Sequence, residues 1–399
     1  MKLHRVRFFG LFCALLVSNL LLASSTASAE QDEGKEDRRA WTDVRYAITR
    51  AELKKIFAMP PIVMAPDFSF KVMVPPGNKL FDPFDFHVVD ANTILASDDG
   101  KSGYIWKVKS DGRVTPMSSP KRYAPYTFDI APPSFGKFAG QIYAVGFNEP
   151  EKAGGWDLPN AVTRIDLKTG KDTLICYLPL NQSKEPGAGA FFARFGPEGS
   201  PFAGKLWITT ASNHTIYQVT PDNKCAPFVT IDLAKQGSPR GISFTPDGQA
   251  MLVGSASPAA DNRAKTAVGG GRIWLMSPAG VFAEKPMVSG LHEPGPMAFA
   301  PEGFGKYGGE LFVTDAGDWD NDIGIAQSPN MGPTDTVNND GRLFRVTKAG
   351  QLELVASALR NPVALAFSGK SLLVGDINGD FHIGYQKFPD GFIVAIAAR

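Results

Sequence analysis

The chain has 399 residues, 41 Lys and Arg against 40 Asp and Glu, and a formal net charge of +1. This balance argues against nucleic acid or an anionic membrane surface as a partner. The 41 Gly and 31 Pro fall at turns between apolar runs, so the composition favours a folded chain with frequent turns over a disordered one.

The first 29 residues have the pattern of a secretory signal peptide. Lys2, Arg5 and Arg7 precede the apolar run Phe8–Ala23, and the small residues Ala27–Ala29 suit cleavage. The run is short for a membrane span. Removing it leaves 38 basic and 40 acidic residues. We therefore expect a secreted or periplasmic protein with no membrane insertion after cleavage.

A charged stretch and a short helical arm are predicted for residues 30–67. Thr42 or Asp43 is suited to cap a helix, and apolar residues recur with roughly helical spacing as far as Phe57. Pro60 then ends the helix.

Between residues 68 and 399 one sequence pattern recurs six times. It consists of a turn, an apolar strand, a corner rich in Gly or Pro, and a second apolar strand. A third strand follows most copies, as in "GYIWKV", "GRIWLM" and "GRLFRV". Repeats of this length built only from strands are typical of β-propellers. The prediction is an all-β, six-bladed β-propeller. The copies are Phe84–Asp98, Tyr126–Val145, Ala190–Thr209, Gly241–Gly254, Pro296–Thr314 and Pro362–Asp376.

Each blade is expected to have four strands, A to D, from the channel outwards. The fourth strand of blade four is predicted at Val281–Pro286. Blade six lacks an outer strand at the C-terminus, whereas Phe68–Val74 precedes blade one without a partner. We therefore assign Phe68–Val74 to blade six, where it closes the ring and covers an open edge.

Strands alternate in direction, so the D-to-A turns and the B-to-C loops share one face of the propeller, here called the D-to-A face. The A-to-B corners form the opposite face. The three long loops, Phe147–Asn160, Ser255–Gly270 and Ala316–Asp340, all lie between strands B and C. Long loops on a rigid scaffold often carry function, so we expect a ligand site on the D-to-A face.

Two stretches, "HEPGPMAFAPEGFGKYGGELFVTD" and "ALRNPVALAFSGKSLLVGD", resemble the gluconolactonase and paraoxonase-like hydrolases. That resemblance implies a divalent metal in the channel, with Ca²⁺ expected, and places Asp85, Glu293 and Asn361 as its ligands. Tyr126 and Arg240 stand where such hydrolases tend to carry Asn or Asp, and arginines oppose a cation.

The motif "LRNP" (Leu359–Pro362) also resembles the soluble quinoprotein sugar dehydrogenases, which implies pyrroloquinoline quinone as an alternative cofactor. His292, Arg240 and Arg360 are the candidate catalytic side chains. Tyr126 and Trp156 are the candidate cofactor-binding aromatics, although aromatic residues in such loops also serve to pin a loop on its blade.

The motif "DAGDWDNDIG" is a second candidate Ca²⁺ site, because Asp318, Asp320 and Asp322 alternate along a loop. The alternative is a set of turn-forming residues on a solvated loop. Gly-x-Ser-x-Gly, His-Glu-x-x-His and phosphate-loop motifs are absent from the sequence.

Two cysteines follow the signal peptide, Cys176 and Cys225. Export permits a disulfide between them. They fall on the predicted outer strands of neighbouring blades, where the separation is usually too large for a bridge. Both a disulfide and two inert thiols therefore stay open, with the spacing in favour of thiols.

The favoured function is metal-assisted hydrolysis of a lactone or ester at the channel mouth of an exported propeller. Two alternatives stay open, a non-catalytic module that binds a small ligand or partner and a quinoprotein sugar or alcohol dehydrogenase. The expected partner is a small-molecule ligand or substrate bound at the D-to-A face.

Overall fold

The computed structural model describes residues 58–80, 82–98, 104–117, 125–146, 160–178, 190–211, 213–256, 270–316, 340–377 and 390–399. The predicted signal peptide and helical arm lie outside these residues. So do the candidate residues Trp156, Asp318, Asp320 and Asp322 and most of the three long loops. No helix in the described part of the chain is long and apolar enough to cross a membrane.

The described residues form six antiparallel sheets, which confirms the six-bladed propeller. Blade one contains β3 (Pro83–Asp90), β4 (Thr93–Asp98), β5 (Ile105–Lys109) and β6 (Val114–Pro116). Blade two contains β7 (Pro125–Ile130), β8 (Ile142–Gly146), β9 (Ala161–Ile165) and β10 (Asp172–Tyr177). Blade three contains β11 (Ala190–Phe195), β12 (Leu206–Thr210), β13 (Thr215–Val219) and β14 (Cys225–Thr230).

The second half of the ring repeats this arrangement. Blade four contains β15 (Ser238–Phe244), β16 (Met251–Ala256), β17 (Gly271–Met276) and β18 (Val288–Leu291). Blade five contains β19 (Pro294–Phe299), β20 (Leu311–Asp315), β21 (Gly341–Val346) and β22 (Leu352–Leu359). Blade six contains β23 (Pro362–Ser368), β24 (Ser371–Asp376), β25 (Phe392–Ala398) and, on its outer side, β2 (Phe68–Val74). Short helices occupy Pro133–Phe138, Leu233–Gln236 and Gly305–Tyr307.

Blade six is completed by the N-terminal strand, as predicted. β2 pairs antiparallel with β25, with Phe68 opposite Ala398 and Val72 opposite Val394. The ring is thus closed by strands from both ends of the chain. A further short strand, β1 (Val63–Met64), pairs with the outer strand of blade five and was not predicted.

The fourth strand of blade four was predicted five to seven residues too early. The structure places it at Val288–Leu291, and within the predicted segment only Phe282 makes an isolated bridge, to Met276. Pro286 lies at the end of the predicted segment, and proline cannot donate a hydrogen bond to a sheet ladder.

Cys176 and Cys225 form a disulfide, which corrects the preference for two thiols. It joins the outer strands of blades two and three, with the Cα atoms 6.5 Å apart. The expectation assumed regular strands, but β10 has a register shift between Leu174 and Cys176. Such a bulge bends a strand and increases its twist.

The hydrophobic core lies between neighbouring blades, because each sheet presents apolar side chains to both sides. The largest cluster includes residues of the inner strands, among them Phe84, Tyr126, Phe192 and Val363. This core fixes the inner strands and therefore the side chains around the channel.

Candidate functional site

The D-to-A turns of three blades are each held by a buried aspartate at the end of strand B. In blade one the Asp82 amide donates to Asp98 Oδ1 at 2.9 Å. In blade five Asp315 accepts the amides of His292 and Glu293, the latter at 2.6 Å on Oδ1. In blade six Asp376 accepts the amides of Arg360 and Asn361, at 3.0 and 3.1 Å.

These aspartates fix the residues that precede the proline of each inner strand. Asp82, Glu293 and Asn361 therefore hold equivalent positions in blades one, five and six. All three are buried. Burial raises the pKa of Asp315, and the amides of His292 and Glu293 partly offset that rise.

Arg240 of blade four and Glu293 of blade five lie together at the channel. Their side chains are 5% and 3% exposed, and Arg240 Nη2 lies 3.5 Å from Glu293 Oε1. Gly241 permits this approach, because a Cβ at that position would overlap the Gly295 carbonyl oxygen. Close passage of β15 and β19 therefore brings the two charges into contact.

Arg240 also lies over an aromatic surface. Its guanidinium carbon is 4.5 Å from the centre of the Phe191 ring, within range of a cation–π interaction. Phe191 packs edge-on to Tyr126, and Tyr126 packs against Phe84 with ring centres 3.6 Å apart. The second residues of the inner strands of blades one to three thus form one aromatic surface beside the Arg240–Glu293 pair. This surface, here called the aromatic floor, consists of Phe84, Tyr126 and Phe191.

Asn361 adds an amide from blade six. Its Oδ1 is buried and makes no hydrogen bond to any residue that the structure describes. A buried carbonyl oxygen without a donor is costly unless a ligand or water supplies one. Asn361 is therefore a candidate hydrogen-bond acceptor for a bound molecule.

Arg360, a second candidate catalytic residue, is directed partly towards the N-terminal segment. Its Nη2 donates to the Ala58 carbonyl oxygen at 3.0 Å. This bond ties the residues before β1 to the D-to-A turn of blade six, so Arg360 has an anchoring contact as well as a place near the channel.

Asp85 belongs to a different network from Glu293. Its carboxylate is fully buried and receives two bonds from Arg194, with Nη2 to Oδ1 at 2.5 Å and Nη1 to Oδ2 at 2.7 Å. Thr127 Oγ1 and the amides of Phe86 and Phe128 also donate to it. Five donors saturate this carboxylate.

The described side chains do not fit the Ca²⁺ site that the resemblance implies. Asp85 is neutralised by Arg194, and Glu293 contacts Arg240, so neither carboxylate offers an uncompensated charge to a hard cation. No group of three His, Cys, Asp or Glu side chains in the described part of the chain is arranged to hold a metal ion. The Asp318, Asp320 and Asp322 loop lies outside that part.

Two sets of residues at this site were missed from the sequence. The strand-end aspartates Asp98, Asp315 and Asp376 recur as "ASD", "VTD" and "VGD", so their repetition was a readable signal. Arg194 gave no such signal, because its partner Asp85 lies two blades away.

Comparisons with known proteins support the fold. No protein-family model matches the chain, and no curated protein matches it. Solved structures do match it. The PQQ-bound aldose sugar dehydrogenase of Streptomyces coelicolor has a TM-score of 0.54 and 14% identity, over 84% of this chain and 100% of that one.

A gluconolactonase of Xanthomonas campestris has a TM-score of 0.52 and 12% identity, over 88% of this chain and 94% of that one. The virginiamycin B lyase of Staphylococcus aureus gives 0.46 and 16%, over 83% and 100%. Gluconolactonase-like and quinoprotein propellers are thus among the structural neighbours, as the sequence resemblance predicted. At these identities the likeness of the first two shows the fold alone.

Proposed function

We propose that the D-to-A face binds a small molecule through a carbonyl oxygen and hydrolyses it as a lactone or ester. The buried Arg240–Glu293 pair carries this proposal. Burying an ion pair costs more desolvation energy than an apolar contact of the same size, so it is a poor choice for stability alone. Its retention beside an aromatic floor and the acceptor Asn361 is consistent with a polar ligand.

In this proposal Arg240 has the electrophilic role that the resemblance gave to Ca²⁺. Its guanidinium donates to the substrate carbonyl oxygen and stabilises the negative charge that develops there. Glu293 accepts a proton from water as the water oxygen bonds to the carbonyl carbon. The bond from that carbon to the ring or ester oxygen then breaks, and the leaving oxygen takes the proton from Glu293.

The test uses the chain without residues 1–29 and a panel of γ- and δ-lactones and aryl esters. We expect Arg240→Gln and Glu293→Gln each to lower kcat/KM by on the order of 100-fold, the usual scale for an oxyanion donor or a general base. Arg113→Gln and Glu302→Gln are matched controls on exposed residues and are expected to stay within twofold of the wild type.

Each assay is run with EDTA and with added CaCl₂. Turnover that is the same in both supports the arginine-assisted reaction. Turnover that requires calcium overturns it in favour of a metal. Saturable binding without turnover of any panel member overturns the hydrolase and leaves a binding module, and turnover only with added pyrroloquinoline quinone and a dye acceptor assigns a dehydrogenase.

We also propose that the protein is exported. The Cys176–Cys225 disulfide supports this, because structural disulfides persist in oxidising compartments and are rare in the cytosol. Thiol labelling of the protein taken directly from fractionated cells tests it. No labelling of Cys176 in the periplasmic or secreted fraction is expected, and a reduced, cytosolic population would overturn the proposal.

A further inference from the structure

The D-to-A turn of blade four lacks the aspartate that holds the turns of blades one, five and six. Ser255 pairs with Pro239 at the end of strand B. At the equivalent position those three blades carry Asp98, Asp315 and Asp376. Ser255 is uncharged, and its hydroxyl donates to the Gln236 carbonyl oxygen at 2.5 Å. The turn of blade four is therefore held by a main-chain acceptor.

The Gln236 carbonyl oxygen takes the place of the absent carboxylate. It accepts the indole Nε1 of Trp274 at 3.0 Å as well as the Ser255 hydroxyl. In blade one the equivalent tryptophan, Trp106, donates its Nε1 to Asp98 Oδ2 at 2.8 Å. The Gln236 carbonyl, Ser255 and Trp274 are here called the Gln236 clamp. The clamp provides a neutral acceptor where blades one, five and six bury a carboxylate.

The Gln236 clamp fixes the chain two residues before Ser238, which precedes the proline of the inner strand. Ser238 thus holds the place in blade four that Glu293 holds in blade five. Ser238 is buried, and its Oγ accepts a hydrogen bond from Arg240 Nη1 at 2.7 Å. The donor carries a positive charge, which makes such a bond stronger than one between neutral groups.

Ser238 constrains the direction of the Arg240 guanidinium more closely than Glu293 does. The distance from Arg240 Nη1 to Ser238 Oγ is typical of a charge-assisted hydrogen bond. The 3.5 Å from Arg240 Nη2 to Glu293 Oε1 exceeds that range. A short hydrogen bond depends on its angle, whereas a looser ion pair depends mainly on distance. Of these two contacts, the one within blade four therefore orients the side chain.

The main chain of Arg240 is held separately, from blade three. Thr209 Oγ1 donates to the Arg240 carbonyl oxygen at 2.6 Å. The guanidinium also lies over the Phe191 ring. Ordering an arginine side chain costs about 2 kcal/mol of rotamer entropy. Because these contacts order Arg240 when the chain folds, a ligand does not have to supply that free energy.

We propose that Ser238 is a positioning residue. Its hydroxyl holds the Arg240 guanidinium in the direction needed to donate to the substrate carbonyl oxygen, and the Gln236 clamp holds Ser238. This inference rests on the proposed hydrolysis, in which Arg240 stabilises the charge that develops on that oxygen. A donor oriented in advance needs no rearrangement as the charge develops, so its orientation affects the rate. Ser238 acts on the reaction only through Arg240.

The orientation is tested without substrate, by NMR of the ¹⁵N-arginine-labelled chain. The Arg240→Lys variant assigns the guanidinium resonances of Arg240. Rotation about the Nε–Cζ bond exchanges Nη1 and Nη2, so a held guanidinium gives two slowly exchanging Nη resonances. We expect slow exchange in the wild type and in Ser238→Thr, which keeps the hydroxyl. Exchange in Ser238→Ala should be about tenfold faster or more, as loss of one hydrogen bond to a charged group implies.

A matched control removes a similar bond on the opposite face of the propeller. Thr93 is buried, and its Oγ1 accepts from Lys109 Nζ at 2.6 Å. Thr93→Val should leave the exchange at Arg240 unchanged. Exchange that stays as slow in Ser238→Ala as in the wild type overturns the positioning role, and so does fast exchange in the wild type.

Kinetics with the lactone and ester panel test the role of Ser238 in the reaction. Ser238→Ala should lower kcat by about tenfold and change KM by less than about threefold, because the aromatic floor stays in place. In an Arg240→Gln background the same substitution should change kcat by less than about twofold, since Ser238 acts through Arg240. Equal losses in the two backgrounds overturn that role.

The positioning role and the proposed hydrolysis fail in different ways. If Arg240→Gln turns over the panel as fast as the wild type, the hydrolase mechanism is wrong, and the NMR measurement decides separately whether Ser238 orients Arg240. If Arg240→Gln is impaired but Ser238→Ala keeps slow exchange and wild-type kcat, the hydrolysis stands and Ser238 is not a positioning residue.

Discussion

Arg194 of blade three reaches past blade two to pair with Asp85 of blade one, with Arg194 Nη2 and Asp85 Oδ1 separated by 2.5 Å. The two residues are 109 positions apart in the chain. Asp85 is buried, and Arg194 is 19% exposed. The pair therefore links three consecutive blades from within the channel.

Removing one partner of this pair should destabilise the protein strongly. Arg194→Met leaves the Asp85 charge buried without its partner, and we expect a loss of about 3–5 kcal/mol in the free energy of unfolding. Urea denaturation measures it. Arg113→Met, an exposed arginine paired with Asp111, is the control and should change stability by less than about 1 kcal/mol. Equal effects at the two sites would contradict the role of the pair.

Protonation of Asp129 should cause part of the loss of wild-type stability at acidic pH. Burial raises its pKa, but the hydrogen bond and charge of His87 lower it in the folded chain below the ordinary value near 3.8. Its contribution is therefore fully present above the unfolded-state pKa and is lost as the pH falls through the folded-state pKa. Asp129→Asn should lower stability at pH 6 and flatten its decline below about pH 5.

Denaturation midpoints between pH 3 and pH 7 test this expectation. Glu302→Gln, which removes an exposed carboxylate, is the control. Parallel curves for Asp129→Asn and the wild type would show that the pair with His87 does not contribute to acid stability.

Replacing Asp315 should impair the candidate site more than replacing Asp98, its equivalent in blade one. Asparagine keeps one acceptor oxygen and cannot hold both the His292 and Glu293 amides as the carboxylate does. Asp315→Asn and Asp98→Asn should each cost about 1–3 kcal/mol of stability. Only Asp315→Asn should lower turnover or ligand binding, by at least tenfold, because it alone positions Glu293. Equal activity in both variants contradicts that positioning role.

Closure of the ring predicts a sharp boundary for N-terminal deletions. Removing residues 1–75 takes away β2 and leaves β25 as an unpaired edge, so we expect aggregation. Removing residues 1–60 keeps both β1 and β2 and should give a monomer by size-exclusion chromatography. A folded monomer from the longer deletion would show that β2 is dispensable.

The number of blades, the order of strands and the closing role of Phe68–Val74 were predictable from the sequence. Each depends on a pattern that is local and repeated: alternating apolar strands between Gly- and Pro-rich corners, with one strand left over. Strand alternation also predicted that the D-to-A turns share one face of the propeller. In the structure Arg240, which follows Pro239, lies with its Nη2 atom 3.5 Å from Glu293 Oε1.

Which charges neutralise one another was decided only by the tertiary structure. The resemblance to the hydrolases implied that Asp85 is a metal ligand, yet Arg194 from blade three pairs with its carboxylate. Cys176 and Cys225 bond although they lie on the outer strands of different blades, and the register shift between Leu174 and Cys176 in β10 could not be predicted from their spacing. Repeats fix each blade through local backbone and packing preferences. Pairings between blades depend instead on the twist and separation of whole sheets, which the one-dimensional pattern does not contain.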